Sequence, residues 1–200
     1  MKRRLLLHAC CAPCTTVTAP HFREQGAEPT LFFYNPNIHP WREWKHRLDT
    51  LEGWAPGEGL PLIVDESYPI EENLRMLLGS QPRCAACLSD RLMVTAMRAA
   101  KDGFESFSTT LMLSPYTDHD LLREAGRRAS EFTGIPFEYS DLRPFYHISV
   151  QLSRQAGLYR QPYCGCVFSE SERFNRRAAL RRNQEGRSPG VAGATGSMNS

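Results

Sequence analysis

Seven cysteines occur in this 200-residue chain, and none stands alone: Cys10, Cys11 and Cys14 form one group, Cys84 and Cys87 a second, Cys164 and Cys166 a third. Thiolates bind soft metals and attack disulfides, so grouped cysteines point to metal or redox chemistry, whereas cysteines that merely fill a core tend to be scattered. In Cys11-Ala12-Pro13-Cys14 and Cys84-Ala85-Ala86-Cys87 one turn of backbone can bring both sulfurs to the same ion. By spacing alone these two pairs read as a four-thiolate site with a long insert. Structural zinc is the rival of an iron–sulfur cluster there. Cys84 and Cys87 also open a helical stretch behind Arg83, and the positive helix end and the guanidinium both favour thiolate. In the third group a single glycine separates Cys164 from Cys166. A disulfide across that spacing closes a small, strained and therefore reducible ring, and Gly165 supplies the backbone freedom for it. The pair suits a two-electron store cycling between dithiol and disulfide. A further pair of metal ligands is the equal alternative.

The elements that must position these groups alternate along the chain. Short β-rich runs lie at 4–8, 30–34, 62–64, 106–110 and 137–140, and helix-patterned segments at 15–25, 41–51, 70–78, 86–101 and 118–132. A further helical stretch at 148–156, a cysteine-containing loop and an arginine-rich helix close the pattern. This alternation predicts an α/β fold, a single Rossmann-like domain with a mostly parallel sheet and helices on both faces. Each predicted strand runs into chemically able residues: His8, Cys10 and Cys11; Tyr34 and Asn35; Asp65; Thr109 and Thr110; Asp141. Ligands of open α/β sheets bind outside the carboxyl ends of the strands, so one edge is the expected active edge. A zinc clip normally sits in a small loop-rich module, so this placement counts against zinc.

Composition bounds the rest. A 41% hydrophobic content suffices for one domain with a real core. That domain is expected over residues 1–182, followed by a disordered tail at 183–200 rich in Gly, Ser, Ala, Asn and Pro. A formal net charge of +2 excludes a polycation. Arg173, Arg176, Arg177, Arg181 and Arg182 nevertheless crowd near the end, either as a solvated helix face or as contacts to nucleic-acid phosphates. No apolar run has the length of a membrane span, so a cytoplasmic protein without membrane partners is expected.

The chain resembles the cobalamin-independent epoxyqueuosine reductases, from about residue 4 to residue 170. The resemblance is carried by Leu6-Leu7-His8-Ala9-Cys10-Cys11-Ala12-Pro13-Cys14 and Phe33-Tyr34-Asn35-Pro36-Asn37-Ile38-His39-Pro40. It continues in Arg83-Cys84-x-x-Cys87 with Arg91-Leu92 and Thr95-Ala96, in Phe107-x-Thr109-Thr110-Leu111 with Ser114-Pro115-Tyr116, and in Asp141-x-Arg143. It ends with Leu158-Tyr159-Arg160-Gln161-x-Tyr163-Cys164-Gly165-Cys166. The order and spacing of these segments are far more specific than any one cysteine pair. Trp44 stands where the family has a tyrosine, Leu88 where an aromatic often follows the second cysteine pair, and Pro144 where a lysine is expected. These departures touch fine substrate contacts.

The resemblance implies an iron–sulfur oxidoreductase that removes one oxygen from epoxyqueuosine in the anticodon loop of tRNA, the last step of queuosine synthesis. It implies a [4Fe–4S] cluster on Cys10, Cys11, Cys84 and Cys87, which replaces Cys14 by Cys10 relative to the spacing argument. It further implies an adjacent iron ion, for which Cys14 is the candidate ligand, and a redox-active disulfide at Cys164–Cys166. An unidentified electron donor completes the partners. His8, Asp65, Asp141 and Tyr116 are candidate proton donors by their strand-end positions. Tyr34, Asn35, Asn37, His39 and Trp41 form an aromatic–amide loop suited to stacking and edge contacts with an exposed base, with Tyr116 beside it and Arg160 for the backbone. A zinc-stabilised RNA-binding module and a thiol–disulfide oxidoreductase using Cys164 and Cys166 alone are the rival functions.

Overall fold

The computed structural model describes residues 2–185. Among these residues four strands form one all-parallel sheet: β1 (Arg3–His8), β2 (Ala27–Phe33), β3 (Leu62–Val64) and β4 (Ser106–Thr109), in the spatial order β3-β2-β1-β4. Leu5, Leu6 and Leu7 are all fully buried, because the central strand of a parallel sheet is covered on both faces and has no solvent side to alternate with. Leu7 is registered with Leu31 on one side and Ser108 on the other. The expected fifth strand at 137–140 shrinks to one parallel bridge between Phe107 and Phe137. Phe107 N donates to Pro136 O and Glu138 N to Phe107 O; Pro136 has no N–H to carry the ladder back towards Glu105, and Glu138 O accepts from Ser108 Oγ at 2.6 Å.

Among the described residues seven α-helices connect and cover the sheet: α1 (Ala12–Glu24), α2 (Trp41–Trp54), α3 (Ile70–Gly79), α4 (Arg83–Lys101), α5 (His119–Thr133), α6 (Tyr146–Gln155) and α7 (Val167–Glu185). Helix α1 packs on β2, α2 and α6, whereas α4 packs on β1, β4, α3 and α5. Right-handed crossovers demand this division: steps from β1 to β2 and β3 move one way across the sheet, and the return to β4 places its helix on the opposite face. The direction reverses between β1 and β4, so the cleft between their carboxyl ends is the switch point at which such sheets bind ligands. The inner face of α5 approaches the sheet edge so closely that a Cβ at Gly126 would lie 2.1 Å from the Phe137 ring.

Helix boundaries follow local chemistry. Asp118 caps α5, its Oδ1 accepting from Asp120 N at 3.0 Å and Leu121 N at 3.1 Å, and Gly134 ends the helix in the left-handed region. Helix α1 begins three residues earlier than its sequence pattern suggests, with Pro13 in its first turn, where the missing N–H costs nothing. Residues 183–185 continue α7, and the rest of the expected tail lies outside the described residues. Among the described residues no helix is long and apolar enough to cross a membrane.

Candidate active site at the sheet switch point

Cysteines of the first group meet where β1 gives way to α1. The Sγ atoms of Cys10, Cys11 and Cys14 all lie within 4.8 Å of one another, and those of Cys10 and Cys11 are 3.7 Å apart. From the end of β4, Thr110 Oγ1 donates to Cys10 Sγ at 3.3 Å and accepts from Cys10 N at 3.2 Å, so the switch-point neighbours share one sulfur. Hydrogen bonds from the Cys11 and Cys14 thiols hold Cys10 well below the usual thiol range. Their own ionisation then becomes harder, and Cys11 is pushed up to about 12, chiefly by its bond to Cys10. Three close thiols with one favoured thiolate can hold a metal ion.

The second group sits on the first turn of α4, with Cys84 exposed and Cys87 buried. Burial raises both thiols. The compensating charge is Arg91, 5% exposed, which donates to Cys87 Sγ at 3.2 Å and to Cys87 O at 3.2 Å. The thiolates of Cys87, Cys164 and Cys10 all raise Arg91 against its desolvation, so this one buried guanidinium feels a cysteine from each group. A second buried guanidinium, that of Arg47, is raised in the same way by Cys11 and Cys10. Two buried cations beside clustered thiols match the negative charge of a metal–thiolate assembly.

The third group follows in the loop before α7. Cys164 is lowered to about 5, first by a hydrogen bond from Cys166, and its Sγ lies 3.0 Å from Ser169 Oγ. Cys166 is raised, because its neighbour takes the negative charge first. Gly165 has φ +110, and a Cβ there would meet Ile38 Cγ1 at 2.8 Å, so both conformation and space demand glycine. All seven cysteines are free thiols. Arg83 joins the second and third groups: it stacks on Phe168 at 4.6 Å and pairs with Glu172 at 3.0 Å, which ties the start of α7 to the start of α4.

The remaining predicted residues divide. His8 is fully buried and its pKa falls to about 4 by desolvation. Its Nε2 faces Tyr34 O at 3.1 Å, and a carbonyl only accepts, so Nε2 carries the proton; Nδ1 then accepts from Thr109 Oγ1 at 2.9 Å. His8 therefore locks the ends of β1, β2 and β4 together. Asp141 is exposed and gripped by Arg143, whose Nε donates at 2.8 Å, which holds the carboxyl down at about 2. Asp65 accepts from Ser67 N at 2.9 Å. Asn35 is buried and donates to Ala9 O at 3.0 Å, bracing the strand end beside Cys10. Asn37 is buried with neither amide atom partnered among the described residues, and Tyr34 OH donates to Asp90 at 3.3 Å. Tyr116 is 78% exposed with its ring edge-on to Tyr146, and Arg160 donates to Val150 O at 2.8 Å. Arg176 is exposed, while the side chains of Arg177, Arg181 and Arg182 lie outside the described residues.

Sequence reasoning gave no role to Arg47 or Glu43, and set Thr110 at the active edge without naming its partner. The first two are charged residues four apart on an amphipathic helix, which ordinarily means a solvated face. The resemblance had included Arg91, and its place four residues after Cys87 was the available signal.

The family description that matches residues 5–172 is epoxyqueuosine reductase QueH. The chain is 41% identical over 178 residues to the epoxyqueuosine reductase QueH of Dehalococcoides mccartyi, covering 88% of this chain and 97% of that protein. It is 36% identical over 190 residues to the enzyme of Thermotoga maritima, covering 90% and 97%, and 32% identical over 182 residues to that of Staphylococcus epidermidis, covering 83% and 76%.

Proposed function

The chain belongs to the epoxyqueuosine reductase QueH family, and we propose that it converts epoxyqueuosine in tRNA to queuosine with Cys164 and Cys166 as its electron-pair store. The observation that carries this reading is the trio of Cys10, Cys11 and Cys14 Sγ atoms within 4.8 Å of one another at the sheet switch point, with the buried Arg91 donating to Cys87 Sγ at 3.2 Å. Loss of the epoxide oxygen as water takes two electrons and two protons. Closing a dithiol to a disulfide releases the same number, so epoxide plus dithiol gives alkene, disulfide and water with atoms and electrons in balance.

A [4Fe–4S] cluster on Cys10, Cys11, Cys84 and Cys87, with an adjacent iron beside Cys14, would supply single-electron transfer and Lewis acidity at the epoxide oxygen. The donor chemistry fits such a group: Cys10, Cys11 and Cys14 form one tight thiol trio, Cys84 and Cys87 open α4, and Arg47 and Arg91 offer buried positive charge. The tight trio of sulfurs includes Cys14, which favours giving that residue a metal-binding role.

The chain's own residues do the rest. Arg91 donates to Cys87 Sγ and adds positive potential towards Cys10 and Cys164, which favours the thiolate form there. Tyr34, Asn37 and Tyr116 receive the base by stacking and edge contacts, with Asn35 holding their loop against Ala9 and Arg160 near the backbone. Asp65 and Tyr116 remain the proton carriers of this proposal, because His8 is locked between strand ends and Asp141 is paired with a cation. Among the described residues Asp65 is held only by Ser67. An external reductant must restore the dithiol after each turnover.

Anaerobic incubation of reduced, iron-loaded protein with epoxyqueuosine-containing tRNA, followed by nucleoside mass analysis, tests the reaction. Loss of one oxygen from the modified base is expected, and its absence with folded, iron-loaded protein would overturn the assignment. A colourless anaerobic preparation with one zinc per chain would favour an RNA-binding module instead. Reductase activity that survives Cys84→Ser but not Cys164→Ser would reduce the chemistry to thiol–disulfide exchange alone.

A further inference from the structure

We propose that Glu43 and Arg47 are positioning residues: their buried ion pair clamps the Cys164-Gly165-Cys166 loop and so sets how readily its two thiols close into a disulfide. This rests on the reading of Cys164 and Cys166 as a redox pair. Arg47 Nε donates to Glu43 Oε1 at 2.6 Å, and the two side chains are 5% and 6% exposed. The other two guanidinium nitrogens fork onto the loop, Nη1 to Cys164 O at 3.1 Å and Nη2 to Tyr163 O at 3.3 Å. His39 N donates to Gly165 O at 2.8 Å, and Ser169 Oγ to Cys166 O at 2.9 Å. Four consecutive carbonyls, 163 to 166, are thereby claimed.

The glutamate is itself held from the far side. Tyr159 OH donates to Glu43 Oε2 at 2.6 Å, and Gln161 Nε2 donates to the same oxygen. Both donors lie in the segment that leads into the cysteine loop, so the pair is buttressed by the element it clamps. A buried Glu–Arg pair without such partners is costly, and here each remaining charged atom has a use. Gly165 presses against Ile38 and the Arg47 guanidinium, a Cβ there coming within 3.3 Å of Arg47 Cζ.

Ring closure between Cys164 and Cys166 requires the loop to give up backbone freedom. A clamped loop has already given it up, so the dithiol closes with a smaller entropic cost. Loosening the clamp lowers the effective concentration of one thiol at the other. A lysine at position 47 preserves the charge but cannot reach two carbonyls and Glu43 in one plane, so it does not restore the clamp.

The test equilibrates full-length, iron-loaded protein anaerobically in glutathione buffers, with acid quench, thiol alkylation and peptide mass analysis. Protein dithiol plus glutathione disulfide gives protein disulfide plus two glutathione thiols. Arg47→Met and Arg47→Lys are each expected to lower that equilibrium constant about tenfold, close to 30 mV. Tyr159→Phe, which keeps the ring stacked on His46 and deletes only the hydroxyl, is expected to lower it by a smaller factor. A merely structural role would lower the melting temperature and leave the constant unmoved. A parent protein that forms the disulfide while all three variants match its constant overturns the clamp and spares the redox reading. A parent that forms no Cys164–Cys166 disulfide in any buffer overturns both. Should the Arg47 variants fail to fold, Tyr159→Phe decides alone.

Discussion

Glu43–Arg47 in α2 and Glu124–Arg128 in α5 are the same pair by spacing and by distance, each four residues apart with nitrogen and oxygen at 2.6 Å. The α2 side chains are about one-twentieth exposed; those of α5 are 42% and 68% exposed. On α5 the glutamate also pairs with Arg127, and Arg127 reaches on to Glu131, so water and several charges share the work. On α2 water is excluded, and the pair persists because Tyr159, Gln161 and two loop carbonyls complete its bonding. Equal geometry therefore carries unequal consequence: a screened pair decorates a surface, whereas a desolvated one fixes distant backbone.

The largest consequence is expected from Arg47→Met. It leaves Glu43 buried without its cation, at a cost of about 3 kcal/mol or more. Urea denaturation at neutral pH measures it, and a loss below 1 kcal/mol would erase the distinction between the two helices.

A proton placed in the same buried region is nearly as costly. His8 has a native pKa of about 4 against 6.5 in the unfolded chain. The unfolded state therefore binds the proton first as pH falls. Stability is complete above pH 6.5 and declines towards pH 4 by about 3 kcal/mol. Denaturation midpoints of parent and His8→Gln should diverge at neutral pH and converge on acidification; parallel curves would refute the desolvated-histidine account.

Gly126→Ala sharpens the contrast within α5 itself, between its charged outer face and its packed inner one. The new methyl must displace the Phe137 ring, a cost of about 1–3 kcal/mol for overpacking. A weakened Phe107–Phe137 bridge, seen as faster amide exchange at Glu138, is the accompanying sign. The smallest effect belongs to Glu124→Gln. Its side chain sits in solvent, and the denaturation midpoint should stay within the reproducibility of the measurement at physiological salt.

Much of the site was legible before the fold was known. Strand ends are marked by apolar runs that stop abruptly, so His8, Cys10, Tyr34, Asp65 and Thr109 could be set on one edge from periodicity alone. The helix at 70–78 and the strand at 62–64 emerge nearly residue for residue. The fifth strand did not, because a β-rich stretch says nothing about which partners its groups find: the Ser108 hydroxyl donates to Glu138 O at 2.6 Å, where a longer ladder would use the next backbone N–H of β4. The sequence set His8 and Asp141 at strand ends, but it does not report that His8 Nε2 faces Tyr34 O or that Arg143 grips Asp141.

By itself the sequence determined the three cysteine groups, the alternation that builds a parallel sheet, and the family. These are properties of residue type and near-neighbour spacing, which any chain displays in one dimension. Tertiary structure alone decided that Cys14 lies with Cys10 and Cys11 in one tight trio, that Arg91 is buried against Cys87, and that Arg47 reaches across 116 and 117 positions to the carbonyls of Tyr163 and Cys164. The reason is desolvation. Whether a charge is a solvated ornament or a structural clamp depends on what the fold packs around it, and that is settled only when distant segments meet.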